Sequence, residues 1–87
     1  MDSESKMILA RREKTLLGEE IKYVLFAESE RTTVFFVTAE FRGTCETNRL
    51  GASLEEAMKI FNALADGNVT PCTIADVVAD LQYYQTL

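Results

Sequence analysis

The chain holds two thiols, Cys45 and Cys72, the side chains most ready for covalent chemistry, and one sits where a thiol can be activated. The stretch Asn68-Val69-Thr70-Pro71-Cys72-Thr73-Ile74 puts Cys72 two residues after Thr70. With Thr70 as N-cap and Pro71 at N1, Cys72 falls at N2 of a helix, where the aligned peptide dipoles stabilise a thiolate. A nucleophilic cysteine also needs a base or cation beside it. None is near in sequence, and Asp76, one turn on, disfavours the anion. Cysteine is equally a small hydrophobe that packs well, and that reading of Cys72 is the stronger one. Asp76 and Asp80 share a helix face, and paired carboxylates can hold a cation or move protons. Without a third ligand in view they read as a solvated face.

Histidine is absent, which removes the commonest general base and the commonest metal ligand together. The cysteines lie 27 positions apart, the spacing of neither a redox CxxC pair nor half a zinc site. We therefore expect no cofactor, no metal and no enzymatic activity; a thiol enzyme using Cys72 is the weakest alternative. No secretory h-region or membrane-length apolar run is present, so the chain reads as cytoplasmic with reduced thiols. The net charge is −5 over 87 residues. Residues 51–87 carry only Lys59 against Glu55, Glu56, Asp66, Asp76 and Asp80, a segment that would repel a phosphate backbone. The densest basic run, Arg11-Arg12-Glu13-Lys14, contains its own acid. Neither a nucleic acid nor a membrane is expected as partner.

The elements that must position these residues follow from periodicity. Residues 1–6 are polar and should be disordered; residues 7–87 are expected to form one α+β domain. Glu20–Glu28 and Thr32–Phe41 are rich in β-branched and aromatic residues and alternate with period two, as strands do. Ile21, Tyr23, Leu25 and Ala27 share one face, as do Phe35, Val37, Ala39 and Phe41, and these are the predicted core faces. Keeping both on one side forces facing residues to sum to an even number. A three-residue loop such as Ser29-Glu30-Arg31 satisfies this, and it pairs Val24 with Phe36 and Phe26 with Val34. The segment before Gly18 is apolar at its ends and charged in its middle, which suits an edge strand, with its register open. Residues 44–50 are a candidate short fourth strand.

The period then changes to that of helices. Leu54, Ala57, Met58, Phe61, Leu64 and Ala65 form an apolar stripe, Ser53 and Glu56 form a capping box, and Gly67 is the expected left-handed residue after the last turn. Ile74, Val77, Val78, Leu81 and Tyr84 form the stripe of a second helix begun by Thr70 and Pro71. Tyr83 lies off that stripe. The predicted fold is an antiparallel three- to four-stranded meander followed by two helices on one face, β-β-β(-β)-α-α.

The ending, from Lys59 to Tyr84, resembles the C-terminal signature of a family of small uncharacterised bacterial proteins of unknown function. In that family an apolar helix ends in a turn, and a Val-Ser/Thr-Pro corner leads into a helix bearing an Asp-Val pair. Val69, Thr70, Pro71, Asp76 and Val77 match, over about a third of the chain. The resemblance implies a β-then-α domain and carries over no catalytic residue. The family pattern does not require Cys72, which weighs further against a thiol mechanism.

Two helices cover one face of a sheet and leave the other bare. Val24, Phe26, Val34 and Phe36 point to that second face, rimmed by Lys22, Glu28, Thr38 and Glu40. An apolar patch of this kind marks an interaction surface unless the N-terminal segment or residues 42–50 fold across it. The leading expectation is a homodimer through these four residues. The alternative is a regulatory adaptor that holds another protein or a small ligand there.

Overall fold

Strand-forming residues occupy the first half of the chain and helix-forming residues the second. The computed structural model, which describes residues 5–85 and the side chains of 6–83, keeps that division. Strands β1 (Ser5–Leu16), β2 (Glu19–Ser29), β3 (Thr33–Phe41) and β4 (Thr44–Gly51) precede helices α1 (Leu54–Asp66) and α2 (Pro71–Gln85). The strands form one antiparallel sheet in the order β1-β2-β3-β4, with β1 and β4 at its edges. Both helices pack on one side, α1 over the centre and α2 over β3 and β4. The fold measures 41 × 38 × 17 Å, so it has two layers and no third. This is the expected α+β architecture with the fourth strand present. The segment expected to be disordered falls largely on residues 1–4, outside the described residues; β1 begins at Ser5, opposite Ser29. No helix among the described residues is long and apolar enough to cross a membrane.

The core follows the predicted parity. Ile21, Tyr23, Leu25, Ala27, Phe35, Val37 and Ala39 are buried against Ala57, Ile60, Phe61, Leu64, Ala65, Ile74 and Val78. The stripe of α1 is rotated slightly from expectation: Ile60 is buried while Leu54 is half exposed. The β2–β3 register differs by two residues from the predicted one. Ser29 pairs with Thr33, leaving Glu30-Arg31-Thr32 as the loop, so Phe26 faces Phe36, Glu28 faces Val34 and Val24 faces Thr38. The Ser29 and Thr33 hydroxyls hydrogen-bond at 3.0 Å, closing the ladder at that point.

The other two hairpins turn in two residues. Leu17 (φ 55°) with Gly18 (φ 79°) and Arg42 (φ 55°) with Gly43 (φ 80°) are left-handed at both central positions, the backbone of a type I′ turn, whose twist matches that of the strands. The two turns lie at the same end of the sheet and are tied by an ion pair from Arg42 Nε to Glu19 Oε2, 2.8 Å. Leucine is an unfavourable occupant of such a site, and Leu17 is exposed. Leu17→Asn is expected to raise the urea midpoint, recovering part of the roughly 1–2 kcal/mol that left-handed backbone costs an L-residue. A lowered midpoint would show that Leu17 makes a stabilising contact.

The corner between the helices departs from expectation at Gly67. Its φ is −87°, and the left-handed residue is Asn68, at φ 53°. Asn68 N–H donates to Ala65 O at 3.2 Å and Val69 N–H to Leu64 O at 3.1 Å. These are the paired bonds of a Schellman motif with asparagine in the place glycine usually takes. At the start of α1, Ser53 Oγ accepts from the Glu56 amide at 3.3 Å, as the capping box requires. At the start of α2 the Thr73 amide donates to the Thr70 carbonyl, 3.1 Å, and the Thr70 hydroxyl lies 3.5 Å from that of Thr73. The Thr70 side chain thus caps less directly than expected, whereas Pro71 is buried. Pro71→Ala should therefore destabilise by about 1 kcal/mol, more than Thr70→Ala, through lost apolar burial and a freer unfolded chain. Denaturant titration of both variants ranks them, and the reverse order would restore the hydroxyl cap.

Candidate functional site

The register of β1 decides what the outer face carries. Ile8 pairs with Phe26 but Ala10 pairs with Leu25, so a bulge at Leu9 switches the strand's phase. Before the bulge Lys6 and Ile8 point outward. After it Ala10, Arg12, Lys14 and Leu16 point to the helix side. Arg12 reaches Asp66 at 2.8 Å and Asn62 at 3.3 Å, and Lys14 Nζ donates to the Ala65 carbonyl at 2.8 Å. The last turn of α1 has no basic residue of its own. These two cations supply the charge that a helix C-terminus favours. The charged middle of β1 thus clamps α1 as well as guarding an edge.

The outer face divides into halves. Near the β2–β3 loop it carries an apolar cluster, Ile8, Phe26, Phe36 and Val34 with Val24 alongside, edged by Lys6, Glu28 and Arg49. Toward the two tight turns it is polar, with Arg11, Glu13, Lys22, Glu40, Thr47 and Cys45. Phe26 and Phe36 stack across the strands, their ring centroids 5.3 Å apart and planes 12° from parallel. Lys6 Nζ sits 4.3 Å from the Phe26 centroid, a cation–π contact. Phe26 is consequently only 5% exposed, which corrects the expectation of an open ring at the centre of the patch. Val24, Val34 and Phe36 are half-buried, and Ile8 is 47% exposed. Neither β1 nor β4 folds across this face; each extends it as a strand of the same sheet.

The charges of the outer face balance. Lys6, Arg11, Lys22 and Arg49 stand against Glu13, Glu20, Glu28 and Glu40, with Lys6 opposite Glu28 and Glu13 opposite Lys22 in the ladder. The acidic excess of the chain lies largely on the helices.

The Met7-Ile8-Leu9 run is exposed at the bulge and is not among the residues picked out by alternation, although its apolar character is plain; of the three, Ile8 belongs to this surface, whereas Met7, opposite Ala27, leaves the strand on the helix side. Without the bulge its facing could not be assigned. Cys72 and Cys45 are both free and exposed, with Cys72 on α2 and Cys45 on β4. No hydrogen bond or ion pair joins Cys72 to a base or a cation among the described residues. Asp76 and Asp80 are exposed, and no cluster of metal-ligating side chains occurs among the described residues. Tyr83 is exposed; the Tyr84 side chain lies outside the described residues. No family model, no curated protein and no solved structure matches the chain.

Proposed function

We propose that this protein is a binding module that works as a symmetric homodimer, closed through the apolar cluster of the outer sheet face, and that it is not an enzyme. The observation that carries this reading is a bare apolar surface, centred on Phe36, on the charge-balanced side of a chain with net charge −5. Two copies repel through their acidic helices and meet without that penalty through their sheets. A two-fold contact is self-complementary, so Ile8, Val24, Val34 and Phe36 serve both partners. The reducing cytosol is the compartment that suits two free, exposed cysteines. Light scattering across a concentration series tests the reading: mass should rise to that of two chains. A single-chain mass at the highest soluble concentration would overturn it.

A further inference from the structure

A cavity of about 250 Å³ opens on the outer face at the β2–β3 loop, lined in part by Phe36, Val34, Arg31, Arg49, Glu28 and Glu30. Three features shape it. First, β4 carries a register shift, Phe35 opposite Gly51 and Phe36 opposite Arg49, and an irregularity of this kind re-aims the side chains beside it. Second, Phe26 covers one face of the Phe36 ring, while Phe36 also lines the cavity, offering apolar aromatic surface to an occupant. Third, two arginines and two glutamates line one small space, yet none of the four enters an ion pair among the described residues. Both signs of charge are available, and the lining is neutral in sum.

We propose that this cavity binds a free α-amino acid with an aromatic side chain. Its carboxylate would meet Arg31 and Arg49, its ammonium Glu28 and Glu30, and its ring the Phe36 side. A simple anion would have two carboxylates against it, and a simple cation two guanidiniums. A zwitterion uses all four groups, and guanidinium–carboxylate contacts are among the stronger hydrogen bonds. The volume is below the roughly 300 Å³ at which sites for drug-sized ligands begin, which suits a single-ring ligand. Each chain carries a whole lining, so the site goes beyond the dimer reading; because Phe36 and Val34 also belong to the proposed interface, ligand and partner chain compete for them.

The test uses the full chain and L-phenylalanine as probe, followed by amide chemical shifts in NMR titration. Shifts should move at Val34, Phe36 and Arg49. Phenylpropionate, which lacks the ammonium, phenethylamine, which lacks the carboxylate, and alanine, which lacks the ring, should each bind about tenfold more weakly or worse. Arg49→Ala should weaken L-phenylalanine about tenfold and should not weaken phenethylamine, from whose ammonium it removes an opposing charge. Binding by a chain that is already single before L-phenylalanine is added would uphold this site while refuting the dimer. No shift with L-phenylalanine at its solubility limit, or equal binding of phenylpropionate, would overturn the proposal. The comparison of probes on the unmodified chain decides the matter even if Arg49→Ala does not fold.

Discussion

Phe36→Glu should give a folded single chain, and Phe35→Glu, one residue earlier, should give no fold at all. The two side chains leave β3 on opposite sides. Phe35 is 8% exposed within the helix-covered core. Replacing it removes a buried ring worth about 1.5–3 kcal/mol and leaves a carboxylate with no partner there, a penalty of several kcal/mol more. A domain of this length has on the order of 4–13 kcal/mol of total stability, so that change consumes most or all of it. Phe36 is half-buried on the outer face. Its replacement forfeits the stack on Phe26, worth about 0.5–1.5 kcal/mol beyond burial, and leaves the core untouched. In a dimer the same change sets two new charges against each other across the two-fold axis. Circular dichroism beside light scattering separates the outcomes. A folded variant at Phe36 that keeps twice the chain mass would remove the outer face as the interface. An unfolded one with a tolerant Phe35 would mean the faces are assigned backwards.

The faces were legible because parity is a strong constraint: one step of slip exposes every core residue of β2 and buries Lys22 and Glu40. A slip of two changes no face, and here the alternation was silent. The true register, with Phe26 opposite Phe36, is distinguished by the ring stack and the Ser29–Thr33 hydroxyl pair, contacts that exist only once the strands are side by side. For β1 the obstacle was the bulge at Leu9. It breaks the period in mid-strand, so no single alternation describes Lys6 and Lys14, which point to opposite sides of the sheet. At the α1 terminus the composition offered glycine and the fold used the next residue, because asparagine also tolerates left-handed backbone. The cavity beside Phe36 left no signal in sequence. Its charged lining joins the loop to β4, and its shape depends on the β4 register shift.

Tyr23→Phe should destabilise the fold by about 1–3 kcal/mol, the usual cost of leaving a buried polar group unpaired, and should change how stability responds to alkali. The Tyr23 side chain is fully buried and its hydroxyl donates to the Val69 carbonyl at 2.7 Å. Val69 belongs to the corner between the helices, so this bond pins the corner to the centre of the sheet. Phenylalanine keeps the ring packing and removes the donor, and the Val69 carbonyl then loses its partner. Burial also raises the Tyr23 pKa above the ordinary value of 10.0, an effect partly opposed by the positive charge of Arg12. The folded chain therefore holds this proton more tightly than the unfolded one. The stability so gained is complete below pH 10 and is lost as pH rises through the folded-state value. Arginines and lysines titrate alike in both proteins, so the difference between them isolates the phenol. Urea titrations from neutral pH to about pH 11 should show the wild-type advantage shrinking above pH 10 and constant below it. An advantage independent of pH would mean that the phenolate is accommodated without unfolding. No advantage at neutral pH would mean that water replaces the hydroxyl at Val69.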